Sequence, residues 1–504
     1  MFNKKILCLG NNDQDTDFQT SQLAKKDNTF NHGLIDQQDF KIDRAGYYHT
    51  TVIDLPVGVI HHIADKFDYI ILLDQPYNQW SSWKLLLISY NLIRDLSNNG
   101  HLVQYKDNLN VQSFIFFNQA LQDNKSFCIH PWINFTEVDQ GLKLCPRDNG
   151  PLLSMDRINN WKNDPDSLKI QQKMLSGQKM PERCNVCYKY EELGIESYRQ
   201  YETQEWLCKL NMKSYDDLKN INQPYFYEIR LSNKCNIKCR SCNPLFSHLI
   251  EKEAKQYNIK YPVNNTLEYS TIRRIDIKTL TPESRVYLTG GEPTIINEVF
   301  EFMRECINQD RTDFEFTLGT NGVKFSPTFI KLCKHFNNLN FSFSLDGYGK
   351  INDYWRWGSD WETIVNNMHW AKNQGHRISI NTVPGIYNVT NLHLLFEFLD
   401  NEFPQTGIYL QLNYFKTQSA LNHPNSKLVL DSMKRCMQTN VYLADGKSTT
   451  TGINSLYNYY SKNPQCNLDH LKEFFDFNDQ LDHARNSRLS DYIPELEACR
   501  HYIL

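Results

Sequence analysis

Three cysteines in the segment SNKCNIKCRSCNP have a spacing that suits a metal centre. Cys235, Cys239 and Cys242 form a C-x3-C-x2-C run with no fourth cysteine close by. Structural zinc sites and ordinary iron-sulfur sites usually have four protein ligands. Three thiolates on a cubane cluster leave one iron open, and an open iron can bind a substrate or a cofactor. The spacing therefore indicates a reaction centre. The alternative, three unrelated buried cysteines, is disfavoured because roughly 0.01 such runs are expected by chance.

A glycine pair follows in the segment YLTGGEPTI, which contains Gly290, Gly291, Glu292 and Pro293. Adjacent glycines let a ligand approach the backbone without a side-chain clash. Glu292 then offers an acceptor for a cationic group. An ordinary turn is the alternative interpretation of G-G-E-P when it is taken alone.

The elements that must position these residues alternate regularly between 225 and 415. Six segments have the length and composition of strands. They are YFYEIRLS (225–232), RVYLTG (285–290), FEFTLGT (314–320), LNFSFSL (339–345), RISINTV (377–383) and GIYLQLNYF (407–415). Helical patterns separate them at 246–257, 297–309, 327–336, 361–374 and 391–399.

This alternation predicts an α/β fold with a β/α barrel or part of one, because right-handed crossovers wind parallel strands in one direction. In such barrels the loops that follow the strands form the catalytic face. The three cysteines follow the first strand and G-G-E-P ends the second, so we expect them to meet at that face.

C-x3-C-x2-C after the first strand and G-G-E-P after the second resemble the radical S-adenosylmethionine (SAM) superfamily over about 225–415. The resemblance implies a partial (β/α)6 TIM-like barrel. It also implies that Cys235, Cys239 and Cys242 bind a [4Fe-4S] cluster whose unique iron holds the amino and carboxylate groups of SAM, and that Gly290 to Pro293 contact the amino group. Later strand ends would complete the pocket, although polar residues there are also ordinary turn formers. These candidates are Thr320, Asn321, Ser344, Asp346 and Asn381.

One position departs from the superfamily pattern. The residue before the third cysteine is often aromatic in that superfamily and stacks near adenine, whereas here it is Ser241. The resemblance still implies the cluster, but it leaves the adenine contacts open.

The resemblance further implies reductive cleavage of SAM. An external donor such as a flavodoxin or ferredoxin supplies an electron, the cluster passes it to the sulfonium, and the 5'-deoxyadenosyl radical takes a hydrogen atom from a substrate. We expect the substrate to be a peptide or protein. A sugar or nucleotide-linked small molecule is the alternative, and a non-catalytic zinc or iron-sulfur protein with a redox or structural role is the alternative from another class.

A second set of cysteines lies upstream. Cys128 and Cys145 enclose IHPWINFTEVDQGLKL, which is typical of a hairpin with one thiol near each end, and Cys184 and Cys187 form a C-x2-C pair. Four thiols would satisfy tetrahedral zinc.

The pattern C-x12-G-x3-C followed by C-x2-C resembles the twitch or SPASM-type auxiliary modules of radical SAM enzymes. The resemblance extends to Glu191 or Glu192, Gly194, Ser197 and Arg199. It implies an auxiliary [4Fe-4S] cluster, with zinc as the alternative. In most relatives the module follows the barrel, whereas here it precedes it.

The remaining sequence predicts the domain organisation. We expect a small N-terminal α/β domain at 1–122, the Cys-rich auxiliary module at 123–215, the barrel at 220–415 and a polar helical C-terminal region at 416–504. In the first domain, 5–10, 50–55, 69–74 and 113–118 are predicted strands, and 81–96 is a predicted helix. A docking or substrate-recognition role is expected there.

Composition narrows the functional classes. A net charge of −4 and no block of like charges give no indication of a nucleic-acid groove. The apolar runs are too short for a membrane span, so a cytoplasmic location is expected. The aromatic run YWRWGSDW, which contains Trp355, Trp357 and Trp361, is compatible with a cavity wall and equally with core packing.

Overall fold

The computed structural model describes most of the chain beyond residue 123. Its described residues are 6–9, 48–50, 69–72, 102–105, 116, 120, 124–138, 141–161, 163–192, 197–261, 271–404, 406–410, 416–439, 441–443, 449–462 and 466–503. The chain divides into two compact units. Residues 1–125 with 202–218 form one unit, and residues 126–201 with 219–504 form the other.

The first unit contains a parallel sheet of four strands. These are β1 (Ile6–Leu9), β2 (Tyr48–Thr50), β3 (Tyr69–Leu72) and β4 (Leu102–Tyr105), in the order β2-β1-β3-β4. The predicted strand at 113–118 is wrong at Phe116, which is helical. The run is apolar without a strict alternation, so periodicity does not separate a buried strand from a helix there. The predicted helix at 81–96 lies outside the described residues.

The second unit contains a sheet of nine strands in the order β13-β12-β11-β10-β9-β8-β7-β5-β6. All neighbouring pairs are parallel except the hairpin β5/β6. The strands are β5 (Asn134–Val138), β6 (Gly141–Lys143), β7 (Phe226–Arg230), β8 (Arg285–Thr289), β9 (Glu315–Thr320), β10 (Leu339–Ser344), β11 (Arg377–Thr382), β12 (Gly407–Leu410) and β13 (Tyr442–Leu443).

Helices lie between these strands along the chain, and further helices precede β7 and follow β13. In chain order, the described α-helices of at least four residues are α1 (His130–Ile133), α2 (Pro165–Leu175), α3 (Pro181–Glu192), α4 (Tyr198–Lys209), α5 (His248–Tyr257), α6 (Asn297–Asn308), α7 (Pro327–Cys333), α8 (Lys350–Trp355), α9 (Trp361–Asn373), α10 (Leu392–Glu402), α11 (Ser426–Cys436), α12 (Thr449–Lys462), α13 (Leu468–Arg485) and α14 (Pro494–Glu497). None of the described helices has both the length and the apolar character needed to cross a bilayer.

The two faces of the sheet differ in chemistry. On the helix-facing side, Leu288, Leu318, Phe341 and Ile380 are fully buried and form the core. Burying a side chain of this size contributes about 1.5–3 kcal/mol each. The opposite face carries Tyr287, Thr317, Asn340 and other polar residues, because successive residues of a strand point to opposite faces.

The sheet curves towards its polar face. Tyr287 on β8 and Asn381 on β11 form a side-chain hydrogen bond, although β9 and β10 lie between their strands. Asn381 also donates to Ser342 Oγ at 2.7 Å. The polar face is therefore the concave face, and we call the space it encloses the lumen.

The structure confirms the α/β fold class and the six strands expected between 225 and 415, with 411–415 lying outside the described residues. It also adds strands at both edges of the sheet. The hairpin β5/β6 joins the barrel sheet directly beside β7, and β13 extends it beyond β12. At two residues, β13 is too short to produce a periodic signal in the otherwise helical 416–504 region. The division of the chain into four domains stays a prediction.

Candidate active site

The loop after β7 holds the three predicted cluster cysteines. Cys235 is buried, and Cys239 and Cys242 are partly exposed. The Cys235 N–H donates to His248 Nδ1 at 3.2 Å, at the start of α5. Burial, followed by the charge of the Cys239 thiol, raises the pKa of Cys235 to about 12, and burial followed by Cys239 and Cys235 raises the pKa of Cys242. The three thiols are therefore close enough to interact electrostatically.

The backbone of this loop lies against the end of α8. The N–H of Lys238 donates to the carbonyl oxygen of Trp357, and the N–H of Arg240 donates to that of Trp355, both at 2.7 Å. Gln418 Nε2 donates to the Arg240 carbonyl oxygen at 3.0 Å. The loop is thus fixed on both sides of Cys239.

Arg240, between the second and third cysteines, holds the loop to the C-terminal helix α13. Its side chain is fully buried, and Nη2 donates to Asp482 Oδ1 at 2.6 Å and to Ser487 Oγ at 3.0 Å. Nη1 donates to Asn478 Oδ1 at 2.9 Å, and the guanidinium lies 3.6 Å from the ring centre of Tyr354. The C-terminal region therefore supports the cysteine loop directly.

The glycine pair lies against the residue before Cys235. Gly291 has a φ of +57°, and a Cβ there would lie 2.3 Å from the carbonyl oxygen of Lys234. The Glu292 N–H donates to that same oxygen at 2.8 Å. Gly290, with a φ of +82°, is equally tight against Arg230. The loop after β8 is therefore in direct contact with the start of the cysteine loop, which only glycine allows.

Glu292 does not present an open carboxylate to the lumen. Its Oε1 accepts from Thr320 Oγ1 and Thr294 Oγ1, each at 2.7 Å, and its Oε2 accepts from the Asn321 N–H at 2.7 Å. Burial raises its pKa, while these hydrogen bonds oppose that shift. The structure gives Glu292 a role in joining the ends of β8 and β9 and starting the short turn at Pro293.

Asn321 and Asp346 approach the cysteines from other strand ends. Asn321 Nδ2 donates to Asn236 Oδ1 at 2.8 Å and lies 3.9 Å from Cys235 Sγ. Asp346 Oδ1 accepts from the Val383 N–H at 2.9 Å, and its Oδ2 lies 2.8 Å from Arg356 Nη2. The ends of β9 and β10 therefore meet at the loop after β7.

The other predicted pocket residues are placed differently. Thr320 points to Glu292 on the helix-facing side, and Pro293 is buried. Ser344 ends β10 and is paired in register with Asn381 on β11, which faces the lumen. Thr320 belongs instead to the framework that joins β8 and β9.

The donor set fits a three-thiolate cluster. Three thiols converge, the loop after β8 approaches them with glycines whose positions a Cβ would fill, and a cationic side chain, Arg356, reaches Cys239 Sγ at 3.7 Å. Within the described residues no group of three His, Cys, Asp or Glu side chains has the arrangement of ligands around a single ion. Cubane thiolates bind different irons and need a wider spacing than ligands of one ion.

The second set of cysteines also comes together. Burial is the main cause of the raised pKa of Cys145, and the charges of Cys128, Cys187 and Cys184 follow it. Cys128 precedes β5 and Cys145 follows the antiparallel β6, so both lie towards the amino-terminal edge of the strands, whereas Cys235 follows the carboxyl-terminal edge. The two cysteine sites therefore follow opposite edges of the sheet.

Glu191, Ser197 and Arg199 form one buried network beside this second set. Arg199 Nη2 and Nε donate to the two oxygens of Glu191 at 2.7 and 3.0 Å, and Ser197 Oγ donates to Glu191 at 2.5 Å. Arg199 Nη1 donates to the Phe127 carbonyl oxygen, next to Cys128. Glu192 is exposed, and Gly194 lies outside the described residues.

A second ion pair ties Cys145 to the helix that carries Cys184 and Cys187. Arg183 Nη1 donates to Asp148 Oδ2 at 2.6 Å, and the same carboxylate accepts from the N–H groups of Leu144 and Gly150. This arrangement fixes the turn after β6 against α3.

Several functional candidates carry no signal that the sequence analysis used. Arg240 lies inside the cysteine motif, but its partner Asp482 is remote in sequence. Arg356 lies inside the aromatic run, and its pairing with the nearby Asp346 follows from the fold and from no motif. Within the aromatic run, Trp355 belongs to the core, where it packs with Tyr387 and with C-terminal residues such as Phe474, whereas Trp357 and Trp361 are half-buried. Only the composition of the motif, a cation between two cysteines, could have drawn attention to Arg240.

Comparisons with known proteins cover the part of the chain that contains this site. The Radical SAM superfamily profile matches residues 229–399. The radical SAM cyclopropyl synthase TigE of Paramaledivibacter caminithermalis is 27% identical over 232 residues, which is 44% of this chain and 46% of TigE. This chain therefore spans less than half the length of that curated relative.

Solved structures show weaker likenesses. anSMEcpe with bound AdoMet is 16% identical, with a TM-score of 0.32 over 42% of this chain and 57% of that one. Streptococcus suis SuiB bound to the precursor peptide SuiA is 14% identical, with a TM-score of 0.29 over 52% of this chain and 61% of that one. These scores are too low to bear on function.

The profile match begins in β7 and ends within α10, so it contains the cysteine loop, the G-G-E-P turn and the strand ends that meet them. The relative that matches by sequence is itself named as a radical SAM enzyme. Residues 229–399 of this chain therefore form a radical SAM domain.

Proposed function

We propose that the chain reductively cleaves SAM at a [4Fe-4S] cluster held by Cys235, Cys239 and Cys242 and uses the radical to abstract a hydrogen atom from a peptide or protein. The convergence of three thiols on the glycine turn after β8 carries this proposal. When bound there, the cluster and SAM supply one-electron chemistry that ends in a 5'-deoxyadenosyl radical. The electron comes from an external donor such as a flavodoxin or ferredoxin.

The residues of the chain position and enclose these groups. The three cysteines supply ligands and leave one coordination position for SAM. Gly290 and Gly291 bring backbone close to the cysteine loop, and Glu292 holds the ends of β8 and β9 together. Ser344 and Asn381 are proposed to contact SAM or substrate, since they lie on the lumen face near the carboxyl ends of β10 and β11.

The lumen supports a substrate that carries polar groups. Tyr287, Asn381 and Ser342 are joined by hydrogen bonds across the concave face, and Tyr409 on β12 lies 3.3 Å from the hydroxyl of Tyr201 in α4. The segment 126–201 therefore reaches across the concave face to β12. A space bounded in this way would limit access of water to a radical.

The proposal is tested by replacing each cluster cysteine with serine. After anaerobic reconstitution and reduction with SAM present, the unaltered protein should form 5'-deoxyadenosine, and Cys235→Ser, Cys239→Ser and Cys242→Ser should each abolish it. Cys466→Ser is a matched control, because that thiol is not one of the proposed ligands and its hydrogen bond to the Asn422 carbonyl oxygen can be kept by a hydroxyl. Formation of 5'-deoxyadenosine by the three variants at the unaltered rate would disprove the site.

We also propose an auxiliary [4Fe-4S] cluster at Cys128, Cys145, Cys184 and Cys187. Four mutually interacting thiols beside the cationic Arg199 support it. If four thiolates close this cluster, its role is electron transfer or architecture rather than direct substrate binding.

Iron counting separates this cluster from zinc. Cys184→Ser combined with Cys187→Ser should remove about four irons per chain, the content of one [4Fe-4S] cluster. SAM cleavage uncoupled from substrate should persist in this variant, because the Cys235 site is intact. Unchanged iron together with a loss of zinc would assign the site to zinc instead.

A further inference from the structure

The side chain of Arg356 contacts the thiol of Cys239. It lies between Trp355 and Trp357, whose carbonyl oxygens accept hydrogen bonds from the backbone on either side of Cys239. Its Nη1 donates to Cys239 Sγ at 3.7 Å, and its Nη2 lies 2.8 Å from Asp346 Oδ2. The guanidinium is thus shared between one cluster ligand and one carboxylate.

This placement is unusual for an arginine that serves packing alone. The Arg356 side chain is only 13% exposed, and its Nε has no hydrogen-bond partner in the described part of the chain. A buried guanidinium is costly unless its charge is paired. The groups that pair with Arg356 are the Asp346 carboxylate and the Cys239 thiol at the catalytic face, and not a backbone carbonyl oxygen of the core.

We propose that Arg356 and Asp346 together set the reduction potential of the cluster that Cys239 helps to bind, an inference that rests on the proposed function. Net charge and hydrogen bonds to the sulfurs are main determinants of such potentials. Reduction adds one electron from the external donor to the cluster, and no bond to Arg356 or Asp346 forms or breaks. A cation bonded to a ligand sulfur stabilises the more negative, reduced state.

Arg356 and Asp346 should therefore shift the reduction potential of the cluster in opposite directions. Arg356 makes the cluster easier to reduce, and the Asp346 carboxylate offsets part of that effect because it neutralises the guanidinium. The hydrogen bond from the charged guanidinium of Arg356 to Cys239 Sγ belongs to the charge-assisted class, which is stronger than hydrogen bonds between neutral groups. A purely structural role for the pair would give no such opposition, because loss of either partner would disturb the same loop.

The test is a redox titration of the reconstituted protein without SAM, monitored by electron paramagnetic resonance. At a fixed potential, Arg356→Gln should lower the ratio of reduced to oxidised cluster about fivefold, the equivalent of about 1 kcal/mol. Asp346→Asn should raise this ratio about fivefold while its Oδ1 still accepts from Val383. Arg356→Lys retains the charge and should lie closer to the unaltered protein than Arg356→Gln.

Iron and sulfide content separates this inference from the proposed function. An unaltered protein that binds no iron at Cys235, Cys239 and Cys242 would disprove the function itself. Variants with full iron whose potentials are unchanged, or shift in the same direction, would overturn the role of Arg356 and leave the function intact. If Arg356→Gln binds no cluster, the Asp346→Asn variant decides the question. A raised ratio of reduced to oxidised cluster in that variant supports the inference, and an unchanged ratio overturns it.

Discussion

Gly291→Ala should abolish most SAM cleavage and much of the iron bound at the cysteine loop. The added Cβ would lie 2.3 Å from the carbonyl oxygen of Lys234 and 2.9 Å from its carbonyl carbon, so backbone must move rather than a flexible side chain. Lys234 immediately precedes Cys235, and the displacement therefore reaches the first cluster ligand. A misplacement of about 1 Å can cost about 100-fold in rate. The measurements are 5'-deoxyadenosine formation and iron content.

Gly375→Ala is the matched control for that substitution. Gly375 also has a positive φ, +79°, but nothing lies within 4 Å of a Cβ placed there. It therefore carries the cost of the left-handed conformation, roughly 1–2 kcal/mol, without a collision. Gly375→Ala should keep its iron and its activity. Equal losses in the two variants would show that backbone strain, and not contact with the cysteine loop, explains the effect at Gly291.

The signals on which the predicted cysteine site depends are local. C-x3-C-x2-C and G-G-E-P are short motifs that follow strands with clear composition, and parallel strand topology brings such loops together. The six strands and the neighbouring helices follow for the same reason. The hairpin predicted between Cys128 and Cys145 is confirmed, because β5 and β6 pair antiparallel with Val138 opposite Gly141.

What the sequence does not predict depends on contacts between distant residues. The pairing of β5 with β7 joins the upstream hairpin to the barrel sheet, and no local pattern specifies that edge. Glu292 was expected to receive a cationic group, but the carboxylate accepts hydrogen bonds from Thr294, Thr320 and Asn321. Its partners lie up to 29 positions away in sequence, so only the folded arrangement shows this role.

The role of the C-terminal region also depends on contacts between residues that are distant in sequence. Residues 416–504 carry no recognisable motif, yet Asn478, Asp482 and Ser487 all accept hydrogen bonds from Arg240. The neighbouring pair Arg485 and Glu253 adds a second buried connection at 2.7 Å, between α13 and α5. A region that is polar in composition thus supports the cysteine loop through buried ion pairs.

Arg240→Met should therefore destabilise the protein and release iron from the Cys235 site. Removing one partner of a buried ion pair leaves the other charge unpaired and typically costs about 3–5 kcal/mol. Asp482 would remain buried against Tyr354, and the segment between Cys239 and Cys242 would lose its link to α13. We expect a melting temperature lower by several degrees and a loss of about four irons per chain, the content of one cluster.

Arg435→Met is the matched control, because Arg435 also makes a two-armed pair with a carboxylate, Glu397, but on an exposed surface. Exposed pairs of this kind contribute about 0–1 kcal/mol. The control should therefore melt within a degree or two of the unaltered protein and keep its iron. If Arg240→Met instead behaves like Arg435→Met in both measurements, the contact with α13 does not hold the cysteine loop in place. The loop would then be held by the hydrogen bonds from the N–H groups of Lys238 and Arg240 to the end of α8.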